Sequence, residues 1–360
     1  MSTRISVLFS QHLFLSGKIE PNSTKDVIRV TMKHIVSVGP KKSEIREVEI
    51  PEMGDNQVLI RLKYAGVCMS EHYAWSTAKA GEAFGHEPMG VIAKVGKNVK
   101  GFEVGDRVSG MWGSSLPGAG GMVEYAVADP EKEAVIKLPD HLRDEDLVLE
   151  PLSCLMSAVS KARLSMPGTT VCVVGCGYMG CGAIGLLKLR GAKVVAIDIR
   201  QESLEDAKRY GADETYLVEE AEKKFLDSEN GFEGFECVME WGETNESLDL
   251  AIRLTKMCGQ LCVGAYHTGG KRLVDMQQLN MKAIDCLSVH PREWDLSLTG
   301  ARNAVELLAS GRWNFVNVPV KIYPMSKFDQ AHEELTTKYG HYMKALIDMT
   351  KIDGEPYVLS

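Results

Sequence analysis

Three short stretches of this chain carry side chains that hold divalent metals: Gly66-Val67-Cys68-Met69-Ser70-Glu71, Gly85-His86-Glu87-Pro88 and Glu150-Pro151-Leu152-Ser153. Each has an ordinary explanation alone, because a lone Cys is usually a small buried hydrophobe, a lone His a satisfied core side chain and a Glu before Pro a helix cap. Together they fit zinc, which favours thiolate, imidazole and carboxylate and, in catalytic sites, takes three protein ligands and keeps one position open. A fourth stretch is a phosphate turn. Gly175-Cys176-Gly177-Tyr178-Met179-Gly180 is a G-x-G-x-x-G that follows an apolar strand pattern and opens a helical one. Its first glycine permits the tight turn, its second the approach of a pyrophosphate, and its third close helix–strand packing, while the helix start supplies N–H donors. Asp198 lies eighteen residues past Gly180, where a carboxylate accepts from a ribose 2′-hydroxyl and repels a 2′-phosphate, so the expected cofactor is NAD. Arg200 is the competing feature, since an Arg there can pair with a phosphate.

The elements that must position these residues form two patterns. From Met32, short β-rich runs (Lys33–Val38, Ile45–Ile50, Val58–Tyr64, Val91–Val95, Arg107–Ser109) are punctuated by Gly, Pro, Asn and Asp, predicting a mostly β domain to about residue 150. At Val171 the period changes to strand Val171–Val174, helix Tyr178–Arg190, strand Lys193–Asp198 and helix Ser203–Tyr210. Strands Glu236–Glu240 and Gln260–Ala265 follow, around a helix near Ser247–Met257. Such alternation means βαβ crossovers and a parallel sheet. Helices are expected near Ala301–Ala309 and Lys327–Thr336.

Size and composition bound the rest. A length of 360 residues, at about 150 per domain, points to two domains. With 44% hydrophobic and 25% charged residues the chain reads as a soluble globular protein rather than a disordered, collagen-like or membrane one. The net charge of −8, without a basic cluster, argues against nucleic acid as a partner. Nine cysteines, mostly in apolar runs, suit buried thiols in a reducing cytosol. The longest uncharged stretch, Leu164–Leu187, is broken by Pro167 and six glycines, which favours strand–turn–helix over a membrane span. Ile5–Leu15 lacks the features of a secretory signal, and residues 1–31 are expected to be a dispensable extension.

The sequence resembles the zinc-dependent medium-chain dehydrogenases, the alcohol, sorbitol and threonine dehydrogenase group, through Ala65–Ser70, Gly85–Glu87, Gly105–Val108, Glu150–Pro151 and Gly175–Gly180. The resemblance implies an α/β protein: a GroES-like, mostly β catalytic domain (32–155), a Rossmann doubly wound parallel sheet (156–290) and a C-terminal part (291–360) returning to the catalytic domain. It implies one catalytic zinc held by Cys68, His86 and Glu150, with Glu87 close to the metal and able to ligate it. Ser70 matches the hydroxyl that relays the substrate proton, and Glu71 the acid that orients the zinc histidine. Hydride would pass between the carbinol carbon of a small-molecule alcohol and NAD, in a cytoplasmic homodimer or homotetramer with no membrane or nucleic-acid partner. A carboxylate ligand in place of a thiolate makes the zinc harder, which suits a polyol, cyclitol or sugar acid.

The chain also departs from the family. Met69 and Tyr73 stand where relatives often have Gly and His, and His72 comes one place early for the end of the proton relay. Trp241-Gly242-Glu243 replaces a Cys-Thr-Gly, and Gly113–Gly121 contains no cysteine, so the four-cysteine structural zinc lobe is expected to be missing. Two other functions were open to this scaffold. A zinc-free quinone or enone reductase would lack the metal set and usually takes NADPH, against Cys68, His86, Glu150 and Asp198. A nucleotide-binding protein without turnover is favoured only by Trp241-Gly242-Glu243 and opposed by the relay serine.

Overall fold

The computed structural model describes residues 31–112, 121–227, 231–337 and 341–360. Residues 1–30 of the expected extension and 113–120 of the expected lobe loop lie outside these. Strands β1 (Thr31–Gly39) and β2 (Lys42–Glu49) pair as an antiparallel hairpin.

The catalytic lobe is built on β3 (Val58–Val67), whose apolar run is buried, followed by α1 (His72–Thr77), β4 (Pro88–Val95), β5 (Arg107–Met111), β6 (Tyr125–Ala128) and β7 (Ala134–Lys137). Helix α2 (Leu149–Ser160) then leads across, with Pro151 in its first turn, where a missing N–H costs nothing. The expected boundary at residue 155 falls inside α2, whose Leu149, Leu152 and Leu155 share one core with the next strand and helix.

Those are β8 (Thr170–Val174) and α3 (Tyr178–Leu189), succeeded by β9 (Lys193–Asp198), α4 (Gln201–Arg209), β10 (Glu214–Leu217), α5 (Val218–Ala221), β11 (Phe235–Glu240), α6 (Asn245–Leu254), β12 (Thr255–Val263), α7 (Met276–Met281) and β13 (Asp285–Ser288). The strands make a six-stranded parallel sheet in the order β10-β9-β8-β11-β12-β13. The order reverses between β8 and β11, and ligands of such sheets bind at that switch, beyond the carboxyl ends of the strands. Both faces of β8 are buried, as expected for a central strand covered by helices on each side.

The chain then forms α8 (Trp294–Ala309), β14 (Val320–Pro324), α9 (Phe328–Thr337), β15 (Lys344–Asp348) and β16 (Tyr357–Leu359). Strand β15 pairs with β3, so the C-terminal strands complete the eight-stranded catalytic sheet. This is the α/β architecture expected from the sequence, a GroES-like β lobe joined to a Rossmann lobe.

Two elements differ from expectation. The helix read as Ser247–Met257 ends at Leu254, where Thr255 Oγ1 donates to Ala251 O at 2.7 Å and the chain passes directly into β12. Helix α8 begins seven residues before Ala301. Its buried face is Ser297, Gly300, Ala301, Ala304 and Leu308, and small residues leave a weak apolar stripe in the sequence while letting α8 approach α2 closely. Among the described residues no helix is long and apolar enough to cross a membrane.

Candidate active site

A cavity of about 880 Å³ lies between the two lobes, and both chemical constellations open onto it. Cys68 directly follows β3, while His86 and Glu87 directly precede β4, which pairs with β3. Sheet pairing therefore brings together segments eighteen residues apart. The ligand atoms of Cys68, His86 and Glu87 lie within 4.8 Å of one another. Glu71 orients the imidazole: its Oε1 is 3.0 Å from His86 Nδ1 and accepts from Gly85 N at 2.9 Å, leaving Nε2 for the cluster. Gly85 is required here, since its φ is 96° and a Cβ would stand 2.8 Å from Gly121 N.

Burial disfavours the His86 imidazolium, yet hydrogen bonds to Cys68 and Glu71 and the charges of Glu71 and Glu87 outweigh it and push its pKa up to about 12. Burial likewise pushes the Glu150 carboxyl up, opposed by the charge of His86 and reinforced by that of Glu87. A thiol, an imidazole and a carboxylate whose donor atoms meet in one cavity form a set that fits zinc. Glu87 is wholly buried and paired with Lys344 of β15, whose Nζ donates to Oε1 at 2.8 Å and to Val67 O at 3.2 Å. Gly66 makes room for that carboxylate, for a Cβ there would stand 1.8 Å from Glu87 Oε2.

Of the expected ligands, Glu150 is not part of the mutual-distance group. It lines the same cavity from the first turn of α2 and accepts from Cys154 Sγ at 3.2 Å. Ser70 lines the cavity too, its Oγ donating to Cys68 Sγ at 3.2 Å. His72, expected near the end of the relay, is not among the cavity's lining residues. Its ring turns into the catalytic lobe, 5.4 Å from Trp75 and 6.4 Å from His332, because α1 begins at this residue and directs it away.

The dinucleotide end follows the glycine logic atom by atom. Gly175 has φ 92°, and a Cβ there would stand 2.8 Å from Gly242 N. A Cβ on Gly180 would stand 1.9 Å from Gly175 O, whereas one on Gly177 would meet nothing within 4 Å, so the open space a pyrophosphate needs is present. Gly177 caps α3 without a side-chain bond, and the helix's first N–H groups face this space. Tyr178 and Met179 line the cavity beside them. Asp198 is buried and holds the turn: its Oδ2 accepts from Cys176 N at 2.7 Å and its Oδ1 from Arg200 N at 2.9 Å. Each carboxylate oxygen keeps a lone pair, which leaves capacity for a ribose hydroxyl. Arg200 Nε is 3.7 Å from Asp198 Oδ1, so the guanidinium leans toward this carboxylate.

Lys344, Cys154 and the buried Glu240 were not legible as site residues. Lys344 reaches Glu87 across 257 positions, a distance over which local pattern carries no signal.

Comparison with known proteins agrees with this geometry. Residues 54–140 match the alcohol dehydrogenase GroES-like domain and residues 179–296 the zinc-binding dehydrogenase family. The chain is 28% identical over 337 residues to a probable D-xylulose reductase A of Neosartorya fischeri, covering 83% of this chain and 91% of that protein. It is 26% identical over 369 residues to the sorbitol dehydrogenase of Mus musculus, covering 89% and 97%. The crystal structure of 2R,3R-butanediol dehydrogenase from Bacillus subtilis superposes with a TM-score of 0.70 at 22% identity, over 88% of this chain and 99% of that one. With both domains matched in order and the ligand segments meeting in the cleft between them, the chain belongs to the zinc-type medium-chain dehydrogenase/reductase family.

Proposed function

We propose that the protein is a zinc-dependent dehydrogenase that moves a hydride between a secondary alcohol of polyol, cyclitol or sugar-acid type and NAD. The observation that carries this reading is the convergence of Cys68, His86 and Glu87 in the cavity onto which the open Gly177 turn also faces. Bound zinc supplies a Lewis acid that makes an alcohol hydroxyl easier to deprotonate. Cys68, His86 and Glu87 would hold it, with Glu150 the nearby carboxylate at the edge of the set. Ser70 Oγ, which donates to Cys68 Sγ at 3.2 Å, takes up and passes on the substrate proton. Glu71 keeps the His86 ring in one orientation. The turn Gly175–Gly180 places the dinucleotide, and Asp198 favours NAD over a 2′-phosphorylated cofactor.

The polyol reading is supported by the xylulose reductase and sorbitol dehydrogenase relatives and by the carboxylate-rich donor set, which suits an oxygen-rich substrate. Purified protein should contain zinc and produce NADH from at least one compound in a panel of polyols, cyclitols and aldonates. Full turnover after exhaustive chelation, with elemental analysis showing no metal, would overturn the zinc mechanism; a strong preference for NADP would overturn the role given to Asp198.

A further inference from the structure

The stretch Trp241-Gly242-Glu243, which departs from the family pattern, is the base of a second charged network. Glu240 ends β11 and is wholly buried. Its Oε1 accepts from Gly242 N at 2.8 Å, Glu243 N at 2.9 Å and Ser247 Oγ at 2.7 Å, and its Oε2 lies 2.9 Å from His267 Nε2. On the other side of that ring, Arg272 Nε donates to His267 Nδ1 at 3.2 Å. Arginine has no acceptor, so Nδ1 must accept, and the ring proton sits on Nε2 and is donated to Glu240. The imidazole therefore joins a buried carboxylate to a guanidinium in one defined tautomer.

The network clamps one segment of chain. Arg272 also donates to the carbonyls of Thr268 at 2.9 Å, Glu243 at 3.2 Å and Gly270 at 3.3 Å, and Thr268 N donates to Glu243 Oε1 at 2.9 Å. Both Glu243 and His267 are held in the left-handed region, at φ 63° and 52°, a conformation that non-glycine residues keep only where the surroundings over-determine it. The clamped segment, residues 264–270, reaches the catalytic lobe. Thr268 Oγ1 is 3.5 Å from the carbonyl of Ser70, and a Cβ on Gly269 would stand 3.1 Å from the Tyr73 ring. Its start rests on Trp241, whose ring a Cβ on Gly264 would meet at 2.6 Å, and its Tyr266 packs 5.2 Å from His290 in the cavity wall.

We propose that His267 is a positioning residue: by coupling Glu240 to Arg272 it fixes segment 264–270 across the cavity, and so sets the wall shared by the nicotinamide dinucleotide and the alcohol. The proposal rests on the reading of the cavity as a dinucleotide site. A side chain that can neither donate nor accept breaks both bonds, whereas glutamine offers a donor and an acceptor at a similar spacing.

The test uses the full chain with its metal, with NADH binding followed by quenching of tryptophan fluorescence, alongside KM, kcat, zinc content and melting temperature. His267→Leu should weaken NADH binding by roughly tenfold or more, as expected for the loss of part-buried charge-assisted bonds, with zinc content unchanged. His267→Gln should restore binding to within about threefold on the same grounds. Arg272→Lys, which keeps the positive charge but loses the Nε donor, should fall between them, and it decides the matter if His267→Leu does not fold. Wild-type NADH affinity in His267→Leu or in Arg272→Lys would overturn the proposal, as would equal weakening in the Leu and Gln variants. If the unmodified protein bound neither NADH nor NADPH, the dinucleotide reading of the cavity itself would fall.

Discussion

The imidazole of His332 is wholly buried, its ring 5.1 Å from Trp75 and 4.7 Å from Phe328, and among the described residues neither of its nitrogens has a hydrogen-bond partner. Burial, aided by the nearby His72, lowers its pKa from 6.5 to about 3. Because the unfolded chain binds this proton first, stability is full above about pH 6.5 and drains away as pH falls toward 3, by up to about 5 kcal/mol. We expect the melting temperature to drop on acidification across this window and His332→Phe to flatten the drop; parallel profiles for the two proteins would sink the assignment. At the metal cluster, Cys68→Ser should remove bound zinc and turnover while leaving NADH affinity intact, because the glycine turn is built from another lobe. Retention of stoichiometric zinc in that variant would show that Cys68 is not a ligand.

The phosphate turn separates folding from binding within a single element. A methyl group on Gly177 meets open space, while one on Gly180 collides with the backbone carbonyl of Gly175. Gly177→Ala should therefore melt like the parent protein yet lose NADH affinity, since the methyl occupies the approach of the pyrophosphate. Gly180→Ala should lose affinity and also about 1–3 kcal/mol of stability, the usual cost of forcing atoms into a packed site. Thermal melts and binding titrations on the two variants check both halves, and equal melting temperatures would contradict the packing argument.

Across the whole molecule, a strand from the C-terminal part of the chain reaches the candidate metal cluster. Lys344 of β15 is nearly buried, and the Glu87 carboxylate outweighs the burial that disfavours its charge, holding its pKa above the usual lysine value. Lys344→Met leaves a buried carboxylate unpaired, a change that costs about 3–5 kcal/mol. The loss should be larger in the metal-free protein than in the zinc-loaded one, where a cation beside Glu87 replaces the missing charge. Chemical denaturation with and without chelator measures this, and an equal loss in both states would mean that Lys344 does not share Glu87 with the metal.

The sequence by itself determined the features that depend on neighbours a few residues apart. The glycine turn, Asp198 at the end of its strand, the alternation that makes a parallel sheet and the ligand-rich segments all follow from local period and residue type, which sets the backbone before any distant contact forms. Tertiary structure alone decided which of those side chains meet. It grouped Glu87 with Cys68 and His86, turned His72 toward His332, brought Lys344 to Glu87 and joined Glu240, His267 and Arg272. These contacts depend on strand register and on how two lobes face one another, and a shift of one residue in register would reverse the side chains involved. Residue types constrain which contacts are chemically possible, but the packing of distant segments selects among them.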